Sequence, residues 1–90
     1  MVKYWEVIMP NLESGKEPVL IAEWLVKSGD RVYNRKPVAV LETDKSTIEM
    51  ESDYDGYIFL IAEEGTEKLQ GEIIAVITRE NDSSIVNTLY

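Results

Sequence analysis

The residues best able to support chemistry in this sequence surround one lysine, in the segment Glu42-Thr43-Asp44-Lys45-Ser46. Lys45 is the only basic residue between positions 42 and 55, where six carboxylates occur: Glu42, Asp44, Glu49, Glu51, Asp53 and Asp55. Nearby carboxylates favour the charged ammonium, whereas a nucleophilic lysine needs desolvation or a neighbouring cation. Lys45 is therefore poorly placed to react unaided and well placed to be modified by a partner enzyme. On spacing alone, an ordinary solvated turn lysine remains the alternative.

The composition excludes several other kinds of chemistry. With no histidine and no cysteine, zinc sites of the usual kind and His-assisted Ser or Cys nucleophiles are excluded. A net charge of −8 argues against nucleic-acid binding, and no apolar run approaches the roughly 20 residues of a membrane-spanning helix. The 90 residues form one small domain in which a self-sufficient enzyme is not expected. The absence of cysteine and of a signal peptide predicts a cytoplasmic location.

Two segments with strand-like patterns flank the lysine and position it. Residues 37–41 are aliphatic and residues 47–52 alternate polar with apolar side chains, which is typical of a β-hairpin. With Asp44 and Lys45 as the central pair, the register places Lys45 at the tip, with its side chain in water. The same register puts four side chains on the core face: Ala39, Leu41, Ile48 and Met50. Because the turn lacks Asn-Gly or Asp-Gly, a type I turn is favoured over type I′.

The rest of the chain predicts an all-β domain. Further strands are expected at residues 2–8, 19–26, 57–62 and 73–79, with a short one within residues 31–36. A loop is expected at residues 11–18, and Leu69 is expected to be a short apolar anchor. No window longer than a turn shows helical periodicity. Trp24 is expected in the core or half-covered on one face, and residues 83–90 show no interpretable pattern.

An offset of 36 residues relates the two halves of the chain. It carries Gly29 onto Gly65, residues 24–26 onto 60–62, and residues 38–41 onto 74–77. Two such halves predict a flattened β-barrel or sandwich of two four-stranded antiparallel sheets with pseudo-twofold symmetry. Lys45 corresponds to Asn81, so only one half carries a lysine at its tip.

Four segments carry a family resemblance: residues 9–13, residues 24–32, the tip 42–46, and Gly56. Gly29 lies 16 residues before Lys45, and Gly56 lies 11 residues after it. Over residues 2 to about 80 the chain resembles the lipoyl (biotinyl/lipoyl attachment) domain family. The resemblance implies that Lys45 is amide-linked to lipoic acid and that Gly29 and Gly56 are structural turn residues. It also implies that the residues around the lysine are recognised by the modifying enzyme or by partners: Glu42, Thr43, Asp44 and Ser46.

The function that the resemblance implies is that of a monomeric carrier domain, not an enzyme, with no metal and no catalytic residues. Its lipoyl-lysine is a swinging arm in a 2-oxo acid dehydrogenase-type complex. The partners are a lipoate ligase or lipoyltransferase, a thiamin-diphosphate 2-oxo acid dehydrogenase, an acyltransferase core and the flavoprotein dihydrolipoyl dehydrogenase. The parent chain would then be an acyltransferase, and neither nucleic acid nor membrane is expected as a partner.

Three alternatives are weighed against this interpretation. A biotin carrier domain has methionine on both sides of its lysine, where this chain has Asp44 and Ser46. The glycine-cleavage carrier is longer and has helical additions. A binding-only β-sandwich with an unmodified lysine is the third.

The sequence also departs from the family pattern. Leu20 stands where glycine is common, and Ser46 replaces the usual Ala or Val. No Ala/Pro-rich linker follows position 90, which suggests either an excised domain or a free-standing carrier. We expect the carrier domain to span residues 1–82, with residues 83–90 as a tail or the start of a linker.

Overall fold

The computed structural model describes residues 4–12 and 17–90, which form eight strands and one short helix. The strands are β1 (Tyr4–Ile8), β2 (Val19–Trp24), β3 (Arg31–Val32), β4 (Pro37–Glu42), β5 (Thr47–Glu51), β6 (Gly56–Leu60), β7 (Glu67–Lys68) and β8 (Ile73–Thr78); the helix is α1 (Ser84–Leu89). Sheet A has the order β1-β8-β6-β3, and sheet B has the order β5-β4-β2-β7. All pairings are antiparallel. The prediction of an all-β fold with two four-stranded antiparallel sheets is confirmed.

The inner faces of the two sheets enclose an apolar core in two clusters. One contains Met9, Val19, Ile21, Ala39, Leu41, Ala62 and Ile74, and the other contains Val26, Val32, Val38, Ile58, Ala75 and Ile77. Trp24 is half-buried against both clusters, and its Nε1 donates a hydrogen bond to the Ala62 carbonyl oxygen at 3.0 Å. Of the two positions expected for Trp24, the half-covered one is therefore confirmed, and its indole N–H is satisfied.

The 36-residue repeat is visible in the hydrogen bonds between loops and strands. The amide of Leu25 donates to Val38 O, and the amide of Ile61 donates to Ile74 O. One turn position differs between the halves. Arg35 has φ +75°, and its equivalent Gly71 has φ +89°. The repeat thus extends to backbone conformation, and Arg35 adopts a left-handed geometry that favours glycine.

Several predicted details are corrected. Strand β2 ends at Trp24 rather than at residue 26, and β6 ends at Leu60 rather than at residue 62, because the chain turns there toward the next strand. Strand β7 was not predicted, and Leu69 beside it is 49% exposed, so it is no anchor. The two residues of β7 are held by pairing with β2, which no local pattern reveals.

The end of the chain forms a helix that the sequence pattern did not predict. Helix α1 has six residues and no fully buried side chain. In the described part of the chain, no helix has the length and apolar character needed to cross a lipid bilayer. Part of the predicted first strand (residues 2 and 3) and of the predicted loop (residues 13–16) lies outside the described residues. The domain boundary at residue 82 stays a prediction.

Candidate functional site

The hairpin β4–β5 places Lys45 at its tip, in the register that the sequence predicts. Leu41 pairs with Ile48, and Ala39 pairs with Met50. Ala39 and Leu41 are fully buried, and Met50 packs against both core clusters. One face of the hairpin is therefore fixed to the core, and the turn follows directly from two ordered strands.

The side chain of Thr43 organises the turn. Its Oγ1 accepts hydrogen bonds from the amides of Lys45 at 3.2 Å and Ser46 at 3.1 Å, and its own amide donates to Ser46 O at 2.9 Å. Among the described non-glycine residues only Arg35 has positive φ, so Asp44 and Lys45 do not. A type I′ turn needs positive φ at both central positions, so it is excluded, as predicted.

Sequence reasoning assigned Thr43 only to recognition and missed this structural role. The available signal was a hydroxyl residue at the first position of a four-residue turn, where Ser and Thr side chains bond to the following backbone. Because the Thr43 hydroxyl accepts from the amides of Lys45 and Ser46, the backbone of Lys45 has a defined position at the tip.

The side chain of Lys45 is exposed. No ion pair within 4.0 Å and no hydrogen bond joins its Nζ to any of the described residues; the one described ion pair is Arg35–Glu51 at 3.9 Å. Glu42 and Asp44 are also exposed, so these neighbouring carboxylates supply a diffuse negative field rather than a partner. The amine is accessible to a modifying enzyme.

A shallow groove of about 390 Å³ lies beside the tip. It is lined by Glu17, Pro18, Leu20, Glu42, Thr43, Asp44 and Glu67. Four of these side chains are carboxylates and none is basic, so the surface that flanks Lys45 is acidic. Within the described residues no group of three His, Cys, Asp or Glu side chains could hold a metal ion.

The two glycines predicted as turn residues lie in the turn before β3 and at the start of β6, away from the tip. Gly29 has φ +95°, and an added Cβ would meet no atom within 4 Å. Gly56 has φ +156°, and an added Cβ would lie 2.3 Å from the carbonyl oxygen of Thr78. Gly29 is therefore required for its conformation, whereas Gly56 is required for the close approach of β6 to β8. Glu42, Thr43, Asp44 and Ser46 alone share the tip with Lys45.

Comparison with known proteins agrees with this geometry. A family profile described as "Biotin-requiring enzyme" (Biotin_lipoyl) matches residues 6–77, which include the whole hairpin. The chain is similar to dihydrolipoyllysine-residue acetyltransferase component 2 of the mitochondrial pyruvate dehydrogenase complex of Arabidopsis thaliana, with 38% identity over 86% of this chain. It is also similar to the lipoamide acyltransferase component of the branched-chain alpha-keto acid dehydrogenase complex of Bacillus subtilis, with 37% identity over 83% of this chain.

A similar segment also occurs in a different kind of component. The pyruvate dehydrogenase E1 component subunit beta of Rhizobium meliloti is 33% identical over 88% of this chain. The chain spans only 15% of the Arabidopsis protein and 18% of each of the two bacterial proteins. The profile match covers well over half of the chain. The chain therefore belongs to the biotin and lipoyl attachment domain family.

Proposed function

We propose that this chain is a lipoyl carrier domain of a 2-oxo acid dehydrogenase-type complex and that Lys45 is its attachment site for lipoic acid. A chain of this family is a carrier domain rather than an enzyme by itself. The observation that carries the proposal is the position of Lys45. Its amine is exposed and unpaired among the described residues, on a turn that is anchored to the core through Ala39 and Leu41.

The residues at the tip fit an amide link to a carboxylic acid. In the active site of a lipoate ligase or lipoyltransferase, Lys45 Nζ would lose a proton and attack the activated carboxyl carbon, forming an amide and releasing the activating group. No residue of this chain has to act as the base, because the modifying enzyme would accept the proton in its own active site. Thr43 holds the backbone of the turn while the modifying enzyme binds it.

The attached lipoyl group would supply a dithiolane that accepts an acyl group together with two electrons. This chain contributes the position of the arm. A tether on a rigid tip raises the effective concentration of its end at each active site within reach, and acidic flanks favour partners with basic entrances. The partners we propose are a thiamin-diphosphate 2-oxo acid dehydrogenase, an acyltransferase core and dihydrolipoyl dehydrogenase. A cytoplasmic location stays a prediction.

Lipoate is favoured over biotin by the residues at the tip and by the relatives. Asp44 and Ser46 flank the lysine where biotin carriers have methionine, and two of the similar proteins are named for a lipoyl-lysine or lipoamide function. An unmodified binding module is the remaining alternative, and it requires Lys45 to stay a free amine.

Enzymatic modification of the purified domain tests the proposal. The protein is incubated with ATP and either lipoate with a lipoate ligase or biotin with a biotin ligase, and its intact mass is measured. We expect a gain of one lipoyl group and no biotin. Lys45→Arg should abolish the gain, whereas Lys27→Arg, a matched change at another exposed lysine, should not. A wild-type mass that does not change, or a gain that survives Lys45→Arg, would contradict the proposal.

A further inference from the structure

The outer faces of the two sheets differ in how deeply equivalent residues are buried. Val76 in β8 is equivalent to Val40 in β4 by the 36-residue offset. Val40 is half-buried, whereas Val76 has no exposed surface. Thr78 is likewise fully buried, although its equivalent Glu42 is exposed. Sheet A is therefore covered at positions where sheet B is open.

The covered residues do not belong to the core between the sheets. Val76 and its cross-strand neighbour Phe59 are both buried, yet neither is a member of the two inner clusters. The other neighbour of Val76 is Glu6 in β1. Because side chains alternate between the faces of a sheet, these three form one row across the outer face of sheet A. Glu6 is exposed, but the apolar pair Phe59 and Val76 is buried, which on an outer face requires something to lie over it.

Among the described residues, the C-terminal segment reaches this side of sheet A. The hydroxyl of Tyr90 donates a hydrogen bond to Glu6 Oε2 at 2.5 Å, which joins the last residue to the first strand. Ile85 and Val86 of α1 are half-buried, whereas Asn87 and Thr88 are exposed. Helix α1 is therefore covered at Ile85 and Val86, whereas Leu89, about one turn further along, is 54% exposed.

The turn that leads into α1 is also ordered. Thr78 Oγ1 donates to the Glu80 carbonyl oxygen, and Asp82 Oδ1 accepts from the Ser84 amide at 2.9 Å. Six helical residues span about 9 Å, which is enough to run back from the end of β8 to the row that contains Glu6. The hydrogen bond from Tyr90 to Glu6 then fixes the end of this segment to β1.

We propose that residues 79–90 form a strap that packs on the outer face of sheet A, over the row of Phe59, Val76 and Glu6. The strap is a third layer, outside sheet A. It holds edge strand β1 in the sheet and closes this face to partners. The outer face of sheet B, whose hairpin carries Lys45, is left as the open face.

Nuclear magnetic resonance of the full chain tests the strap. In the wild-type protein we expect methyl–aromatic nuclear Overhauser effects between Ile85 or Val86 and Phe59. Backbone heteronuclear Overhauser values for residues 84–90 should match those of the strands. A free tail would show no such contacts and low values, and this result would overturn the proposal without any variant.

Two substitutions extend the test, each read by amide hydrogen exchange in β1 and β8. Val86→Asp places a charge on the covered side of α1 and should accelerate exchange by about tenfold or more through local opening. The matched control Asn87→Asp, on the open side, should stay within about twofold of wild type. Tyr90→Phe should also accelerate exchange in β1 because it removes the tether to Glu6. Equal rates in Val86→Asp and Asn87→Asp would contradict the strap.

Discussion

Replacing Gly56 by alanine tests whether the stability of the domain depends on the close approach of β6 and β8. The new Cβ would lie 2.3 Å from Thr78 O and 2.9 Å from Ile77 Cγ2, whereas ordinary contacts begin at 3.4 Å. The carbonyl oxygen belongs to the backbone, so no rotamer change can relieve the overlap. The two strands must separate by about 1 Å where Tyr57 pairs with Thr78.

The expected cost follows from three contributions. Overpacking of a dense interior costs about 1–3 kcal/mol, and each weakened strand hydrogen bond costs about 1 kcal/mol. The backbone conformation of Gly56, with φ +156°, is rarely adopted by L-residues and adds about 1 kcal/mol of strain. We therefore expect Gly56→Ala to lower the free energy of unfolding by about 3–5 kcal/mol, a large part of the roughly 5–15 kcal/mol typical of a domain.

Gly29→Ala is the matched control, because it has a positive φ and open space around the new Cβ. It should cost only about 1–2 kcal/mol, from backbone strain alone. Urea unfolding at 25 °C, followed by tryptophan fluorescence, measures both variants. Equal losses in the two variants, or a loss below about 1.5 kcal/mol for Gly56→Ala, would refute the steric reasoning.

Four further predictions concern the hairpin, the strained turn and the C-terminal contact. Leu41→Ala should lower the unfolding free energy by about 2–5 kcal/mol, because Leu41 is fully buried; a near-neutral value in the same urea assay would contradict its core position. Thr43→Val removes the acceptor for two amides, so it should lower the free energy of unfolding by about 0.5–1.5 kcal/mol and slow lipoylation. Thr43→Ser should keep the stability and the lipoylation rate near those of the wild type. Similar lipoylation rates in the two variants would argue against the role of the hydroxyl. Arg35→Gly relieves a left-handed residue whose ion pair is exposed, so it should raise thermal stability by up to about 1 kcal/mol, whereas Arg35→Val should lower it; the reverse order would be inconsistent with strain. The hydrogen bond to Glu6 raises the pKa of Tyr90 to about 12 from 10.0, so the stabilisation from this contact is complete below pH 10 and is lost as the pH rises through 12. Phenolate absorbance should show one tyrosine titrating near that value, and Glu6→Gln should shift it back toward 10; an unchanged titration in Glu6→Gln would rule out the contact.

The sequence predicts the hairpin and its register because the information is local. Alternation in residues 47–52 and the buried Leu41 fix which face meets the core, and a slip of one residue would expose that face. The 36-residue repeat adds the second half, since Gly65 repeats the turn of Gly29 with a similar positive φ. The fold class and the accessible lysine therefore follow from pattern.

The features that local pattern misses depend on contacts that are distant in sequence. The need for Gly56 arises from the carbonyl oxygen of Thr78 in a neighbouring strand. Strand β7 is a strand because β2 pairs with it. Helix α1 is too short to be stable in isolation, and Tyr90, which follows it, donates a hydrogen bond to Glu6. Each of these features can be recognised only once the folded structure is known.

The mass of the protein isolated from its own source tests the carrier assignment most directly. We predict an intact mass greater than that of the bare chain by one lipoyl group, with peptide mapping that places the group on Lys45. A native protein whose Lys45 is a free amine in cells supplied with lipoate, or one that carries biotin there, would contradict the assignment.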